Sequence, residues 1–240
     1  MNKILNHLKE NWVRHGFETL VVTVGILGAF ALNNWNDQTK KNTLEVETLR
    51  EIQLSLKSNL EHINGIADNM KKDVSKLKTL VIHLQTRKPY VDSLEELFYY
   101  PYRGHIIIVN KSAYEMLENR GIDIISNIEL RSKIVDHYNY RLKTMELFGE
   151  AERALLDDFR NYYQTKVVPN YDDLFVGHTG REYPRTFAYD YEEILNDITL
   201  INKLKWRISR LDLAADRLDN TWATSTQALE NEIGEWLKNK

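Results

Sequence analysis

Hydrophobic and polar positions divide the chain into one short segment that is apolar on every side and several long stretches with an apolar stripe. Within the apolar segment, residues 20–32, Thr23 is the one clearly polar side chain. A helix that is apolar all round is buried in protein or lipid, whereas a stripe spaced by three and four residues marks one buried face. The pattern therefore predicts a helical chain with one candidate membrane span.

The borders of the apolar segment extend it to the length of a membrane span. We predict a transmembrane helix over residues 17–36 and an amphipathic interfacial segment over residues 1–16. Trp12 and Trp35 are 23 positions apart, which corresponds to about 34 Å along a helix. That distance matches the separation of the two aromatic belts of a bilayer. We therefore expect Trp12 and Trp35 to be interfacial anchors in the lipid bilayer.

Two other interpretations of the apolar segment stay open at this point. The tripeptide Ala29-Phe30-Ala31 fits the small-x-small rule for signal-peptide cleavage. Against cleavage, this site lies inside the apolar run, and Glu18 stands where a signal peptide's apolar core begins. The third interpretation is a buried helix of a soluble protein, which is disfavoured because the segment has no polar face. We favour an uncleaved signal anchor.

Three residues of the span are candidates for packing inside the membrane. Glu18 is either a functional intramembrane carboxylate or, because it lies near the edge of the span, the partner of Arg14 four residues earlier. Gly25 and Ala29 form a small-xxx-small pair, which permits two helices to approach closely. This pair makes self-association through the span one of the expectations.

The same segment resembles the N-terminal signature of a bacterial protein family. The matching residues are Glu18, Val22, Gly25, Ile26, Leu27, Ala29, Leu32, Asn33, Asn34, Trp35 and Asn36, followed by Asp37. A looser likeness runs from Ser112, Ala113, Tyr114 and Leu117 to Tyr138. The family consists of single-pass membrane proteins of Gram-negative bacteria and is known as a domain of unknown function. The resemblance implies a location and a fold, and it implies no activity.

Lysine and arginine are almost evenly distributed on the two sides of the predicted span. Because long domains cross a membrane largely regardless of charge, we expect the N-terminus to stay in the cytoplasm and residues 37–240 to lie outside. In a Gram-negative cell this means a periplasmic domain anchored in the inner membrane. No later segment approaches the same apolarity, so we expect a single crossing.

Five helices are predicted after the span. Their expected ranges are 38–87, 93–98, 111–119, 127–166 and 191–237. Pro89 and Pro169 end two of them, and Gly121 ends another in the left-handed conformation. The apolar run 106–109 has no evident strand partner and is expected to be an extended linker. We therefore predict an all-α fold, in which one N-terminal transmembrane helix is followed by an elongated antiparallel helical bundle over residues 37–240.

An aromatic-rich loop, residues 170–190, joins the last two long helices. Its aromatic residues are Tyr171, Phe175, Tyr183, Phe187 and Tyr189. If the first helix rises from the membrane and the second descends, this loop lies beside the membrane, where aromatic rings favour the headgroup region. The alternative is local packing against the end of the bundle.

Composition excludes several classes of function. The chain has no cysteine, which excludes disulfides, thiol nucleophiles and cysteine-bound metals. Its net charge of -3 argues against nucleic acid as a partner. No phosphate-binding loop, HExxH or G-x-S-x-G motif is present. Among the scattered histidines, His83 and His137 are the pair that a bundle is able to bring together. We expect no catalytic residue, no cofactor and no metal.

The leading hypothesis is a non-enzymatic membrane-anchored helical bundle of the cell envelope that acts through protein–protein contacts, with itself or with an envelope protein. The alternative is a membrane-tethered periplasmic sensory or ligand-binding domain that signals through a partner. A pocket between helices would distinguish them. The residues expected to line such a pocket, together with convergent polar groups, are Tyr100, Tyr102, Tyr138 or Tyr163.

Overall fold

The structure, a computed structural model, describes residues 2–170 and 185–240, and it is mostly helical. The helices are α1 (Asn2–Gln85), α2 (Leu94–Leu97), α3 (Ser112–Arg120), α4 (Ile128–Asp136), α5 (Leu142–Tyr163), α6 (Tyr191–Asn196), α7 (Ile198–Arg217) and α8 (Thr224–Lys238). Single 3-10 turns cover Tyr100–Tyr102 and Ile122–Ile124, and π-helical turns cover His137–Arg141 and Leu218–Ala223. Strands β1 (Val167–Pro169) and β2 (Thr186–Ala188) pair antiparallel, with Val168 opposite Phe187.

One unbroken helix, α1, contains both the predicted span and the first helix of the domain. Residues 16–43 of α1 are exposed along their whole length, and burial begins at Glu45. This exposed part holds an 18-residue window of mean hydropathy 1.6, with 0% of it buried, so one described helix is long and apolar enough to cross a membrane. The predicted boundaries at residues 16 and 36 are not marked by any break, and neither is Gly65, where a bend was expected.

The second half of α1 buries the apolar stripe that its sequence predicts. Leu49, Ile52, Leu56, Leu77 and Leu84 are each 0% exposed. This stripe packs against α7 and α8, which run antiparallel to α1. The direction follows from two contacts: Gln53 Nε2 donates to Glu230 Oε1 at 2.7 Å, while Arg87 Nη1 donates to Asn196 Oδ1 at 3.1 Å at the other end.

The chain returns along α1 through an extended segment rather than through a long helix. Arg103 Nη1 donates to Asp73 at 2.9 Å, whereas the carbonyl oxygen of Asn110 accepts from Ser55 and from Asn59, each at 3.0 Å. Residues 103–111 therefore run antiparallel to α1, and α3 follows them. The linker expected at residues 106–109 is part of this segment.

Because the extended segment and α3 take the return path, α4 and α5 run parallel to α1. The hydroxyl of Ser126 donates to Glu45 at 2.7 Å, and the hydroxyl of Tyr138 donates to Ser55 at 3.3 Å. The expectation that the second long helix descends toward the membrane is therefore wrong. A helical stripe alone does not reveal that a short extended segment turns the chain round.

This reversal also corrects the expected position of the described flanks of the aromatic loop. Its flanks form the β1–β2 ribbon, and Tyr191 beside it donates to the carbonyl of Lys88 at 2.8 Å. The ribbon thus lies at the end of α1 opposite to Trp35, about 75 Å along the helix. Phe187 and Tyr189 lie on this distal side, whereas Tyr171, Phe175 and Tyr183 fall outside the described residues.

Two predicted helices are interrupted, for identifiable reasons. The helix expected to reach residue 166 ends at Tyr163, because residues 167–169 enter the ribbon. The helix expected from residue 191 breaks at Asp197, whose carboxylate accepts from Leu200 N at 2.9 Å and caps a new helix. Gly121 has φ 105° and ψ 123°, so a positive φ ends α3 as expected, but with a ψ outside the left-handed helical region.

Candidate functional site: an arginine-lined cavity

A cavity of about 580 Å³ lies between the extended return segment, α5 and α7. Its size falls in the range of small-molecule sites in proteins. Its basic side chains are Arg103, His105, Arg153, Arg160 and Arg207, and its apolar side chains include Met70, Ile106, Leu156, Leu211 and Ala214. Tyr99 and Tyr102 contribute aromatic rings. The cavity thus combines a cationic wall with an apolar one.

A buried carboxylate on α1 fixes the return segment against the cavity. The Asp73 side chain is 0% exposed; it accepts from Arg103 Nη1 at 2.9 Å and from His105 Nε2 at 2.8 Å. A carboxylate has no proton to donate at neutral pH, so the imidazole nitrogen is the donor in this pair. A buried charge persists only when it is paired in this way. Asp73 therefore positions one wall of the cavity.

Arg160 fixes the same segment from the α5 side. Its Nε and Nη2 donate to the carbonyl oxygen of Tyr102 at 3.0 and 2.8 Å, and its Nη1 donates to Asp157 at 3.2 Å. Its guanidinium also lies 5.2 Å from the centre of the Tyr102 ring, a cation–π contact. Arg160 is thus largely occupied by structural contacts.

Arg207, on α7, is a buried cation of the cavity that forms no ion pair within the described residues. The residue is 4% exposed, and its Nη2 donates to the carbonyl oxygen of Arg103 at 2.9 Å. Its Nε is buried without a hydrogen-bond partner in the described part of the chain. Burial lowers the pKa of Arg207 to about 10, Asp73 partly offsets this and the charge of Arg160 adds to it.

Among the described residues, the one carboxylate that lines the cavity is already paired. Glu152 accepts a hydrogen bond from Arg210 on the neighbouring α7, and these two side chains form an ion pair. No ion pair involves Arg153 or Arg207 among residues 2–170 and 185–240. The lining therefore keeps a positive excess, which suits an anion.

A second groove lies where the two π-helical turns meet. It is lined by Lys133, Asp136, His137, Arg141, Asn220, Thr221, Glu232 and their neighbours. His137 is 2% exposed, and its Nε2 has no hydrogen-bond partner in the described structure. Burial and, to a smaller extent, the charge of Arg141 lower the pKa of His137 to about 4, whereas Asp136 acts in the opposite direction.

The residues predicted for the span lie far from this cavity. Glu18 accepts from Arg14 Nε at 3.1 Å. This is the interpretation in which Glu18 is the partner of Arg14 and not a functional carboxylate inside the membrane. Gly25 and Ala29 are exposed, and a Cβ atom on Gly25 meets nothing within 4 Å. Trp35 is 70% exposed. The backbone of Trp12 belongs to α1, and its side chain lies outside what the structure describes.

The structure places the four tyrosines named as candidates for lining a pocket in different surroundings. Tyr102 lines the arginine cavity, and the buried Tyr163 donates to the carbonyl of Phe98 at 2.8 Å. The buried Tyr100 donates to Glu96 at 3.0 Å. Tyr138 lies elsewhere: its ring stacks on Tyr114 with centroids 4.6 Å apart. One of the four thus identifies the cavity.

The structure keeps His83 and His137 apart. His137 adjoins Tyr138, which contacts Ser55, and His83 lies 28 residues farther along α1, about 42 Å away on a helix. No group of three histidine or carboxylate side chains with the geometry for a metal ion occurs within the described residues. His178 lies outside them.

Sequence reasoning missed Asp73 and Arg207, although both leave a signal. Arg207 follows Leu204 by three positions and precedes Leu211 by four, so it occupies the buried stripe of its helix. Asp73 follows Met70 by three positions on the stripe of α1. A charge on a buried stripe indicates a paired or functional group.

Comparisons of the chain with protein-family models, with curated proteins and with solved structures found no match.

Proposed function

We propose that the protein is a membrane-anchored helical domain of the Gram-negative cell envelope that acts through protein contacts and has no catalytic activity. The observation that carries the proposal is the exposure of residues 16–43 of α1. Phe17, Leu27 and Phe30 are 65%, 62% and 69% exposed, and a soluble monomer rarely leaves such a continuous apolar surface in water. This exposure argues against the helix being buried in the core of a single soluble chain.

The resemblance of the span to the single-pass bacterial family supports the same location. In this proposal residues 17–36 cross the inner membrane, Trp12 and Trp35 mark its two interfaces, and residues 37–240 lie in the periplasm. Because α1 continues without a break into the packed domain, the domain is held at a fixed distance from the lipid. A protease added to spheroplasts is expected to degrade the domain, and its survival would reverse the proposed orientation.

The return segment offers a surface for a protein partner. Ile106 and Ile108 are 60% and 65% exposed, while Ile107 packs inward against α5 at Gly149. Within the described chain, the backbone N–H groups of residues 105, 106, 107 and 109 have no protein acceptor. Unpaired donors beside exposed apolar side chains are typical of an edge to which a partner adds a strand.

In-cell crosslinking followed by purification from solubilised membranes tests this proposal. We expect a crosslinked dimer or a co-purifying envelope protein, and a lower yield of it from the Ile108→Asp chain. Ile82→Asp is the matched control, because Ile82 is a 57% exposed isoleucine on α1. Recovery of the monomer alone, with no co-purifying protein, would contradict the proposal.

A second candidate function is a membrane-tethered sensory or ligand-binding domain that signals through a partner. The arginine-lined cavity favours it, because a cationic cavity of this size between helices has the dimensions and the lining of a ligand site. The two candidates are compatible, since a ligand in the domain is able to change what its outer surface binds.

A further inference from the structure

We propose that the cavity lined by Arg103, Arg160 and Arg207 binds a small soluble carboxylate that carries an apolar body. The inference rests on the second candidate function and names its ligand class. Its failure would leave the membrane anchor and the protein contacts unaffected, because these depend on other residues and are tested by other measurements.

Arg207 is a buried cation. This cation is 96% removed from solvent, since the residue is 4% exposed. It forms no ion pair in the described chain, and its Nε hydrogen has no acceptor. Taking a charge out of water without a partner is costly. A bound anion would supply the missing counter-charge.

The wall around Arg207 keeps a positive excess of charge. Arg103 is paired with Asp73, Arg160 with Asp157, and Glu152 with Arg210. Arg153 at the rim and Arg207 inside form no ion pair within the described residues. A guanidinium donates in the plane of its fork, which matches the two oxygens of a carboxylate. The wall therefore selects an anion and disfavours a cation.

The apolar side chains that line the cavity define the rest of the ligand. Met70, Leu156 and Leu211 present apolar side chains to the cavity, and Tyr99 and Tyr102 present rings. A cavity of about 580 Å³ is much larger than an inorganic anion needs. An acid with a hydrocarbon or aromatic body fills both parts, because burying the body adds hydrophobic free energy to the ionic contact.

The position of the cavity identifies the source of the anion. Met70 lies 35 residues beyond Trp35 on the same helix, which corresponds to about 52 Å. A lipid headgroup in the membrane that holds Trp35 cannot reach that far. The ligand is therefore a soluble molecule and not part of the anchoring bilayer.

The test uses the full chain in phosphatidylcholine nanodiscs, with thermal unfolding followed by tryptophan fluorescence. The probe is 3-phenylpropionate, and it is expected to raise the unfolding midpoint with concentration, as any ligand of the folded state does. 3-Phenylpropanol has the body without the charge, and inorganic phosphate has the charge without the body. Both are expected to give a smaller shift at equal concentration.

Three variants assign the effect to the cavity. Arg207→Met keeps the apolar stem and removes the charge, and it is expected to weaken the apparent affinity by about tenfold or more. Arg153→Met, at the exposed rim, is expected to weaken it by about threefold. Arg131→Met, on α4 away from the cavity, is the matched control and is expected to leave the affinity unchanged.

The results that would overturn the proposal are specific. The ligand class is wrong if the alcohol or phosphate stabilises the chain as much as 3-phenylpropionate does, or if no probe stabilises it. The assignment to the cavity is wrong if the Arg153→Met and Arg207→Met chains respond as the unmodified chain does. Should Arg207→Met fail to fold, Arg153→Met alone decides, because this exposed side chain has no ion pair in the described structure.

Discussion

Leucine, isoleucine and valine occur along both halves of α1, yet residues 16–43 expose them on every side and residues 44–85 bury a single stripe. The second half alternates apolar and polar residues at helical spacing, so the protein itself provides the cover. The first half has no polar face between residues 24 and 32, and no part of the described chain packs against it. One continuous helix thus meets two different environments. Protein covers the second half, and we infer that lipid surrounds the first half.

The carboxylate of Asp73 in the second half is buried, whereas that of Glu18 in the first half is exposed. Removing the Asp73 carboxylate should give the largest loss of stability. Asp73→Ala leaves Arg103 and His105 without their buried partner, so the free energy of unfolding should fall by about 4 kcal/mol, as for other broken buried pairs. Glu18→Ala is the control, because Glu18 and Arg14 are both exposed, and no measurable change is expected. Denaturant unfolding in detergent measures both, and equal effects would contradict the comparison.

The second largest expected effect is the loss of stability when a leucine of α1 is replaced by alanine, and this loss should differ between the two halves. Leu56 is 0% exposed, so Leu56→Ala should lower the free energy of unfolding by about 3 kcal/mol through lost burial and a cavity. Leu54 and Leu27 are 66% and 62% exposed, and their alanine variants should leave it nearly unchanged. A large loss of stability in Leu27→Ala would show that protein covers the first half.

His137 is buried where other helices pack on the second half of α1, and it makes the stability of the folded chain depend on pH. Its pKa of about 4 in the folded chain lies below the usual value of about 6.5. Between pH 6.5 and 4 the unfolded chain therefore binds a proton that the folded chain does not, and stability falls as the pH falls. At pH 5 this costs about 2 kcal/mol.

The variant His137→Gln isolates this contribution. The difference in unfolding free energy between the unmodified and the variant chain is expected to change by that amount between pH 7.5 and pH 5. The groove around His137 also carries Lys133, Asp136, Arg141 and Glu232, and both chains keep these groups. A difference that does not vary with pH would show that His137 is not buried as a neutral base.

The smallest effect concerns contacts between spans. Gly25→Leu meets nothing within one chain, but a leucine there would block close approach of a second helix at the small-xxx-small face. We expect a loss of crosslinked dimer equivalent to about 1 kcal/mol. Leu27→Phe, on the opposite face of the helix, is the control. Equal dimer yields from the two variants would remove this face as a contact.

The sequence predicted what depends on local periodicity. The stripe from Leu49 to Leu84, the stop near Pro89 and the apolar character of residues 20–32 follow from spacing alone. The direction of α5 did not, because it depends on residues 103–111 turning the chain along α1 without forming a helix. A local pattern carries no information about such long-range packing.

The candidate site was less predictable than the fold, for a related reason. Asp73, Arg103 and Arg207 are distant in sequence and meet through tertiary packing, so no motif links them. Tyr102, one of the four tyrosines named as alternatives for lining a pocket, lines the cavity, whereas Tyr138, another of the four, packs on Tyr114. The available signal for the site was a charged residue at a buried position of a helical stripe.

Fractionation of cells that produce the full chain tests the central claim most directly. The account predicts that the intact polypeptide stays with the membrane pellet after washing with alkaline carbonate, and that detergent releases it. It also predicts that the residues before Leu32 remain attached to that polypeptide. Intact full-length chain in the aqueous fraction without detergent, or a mature N-terminus at Leu32, would contradict the account.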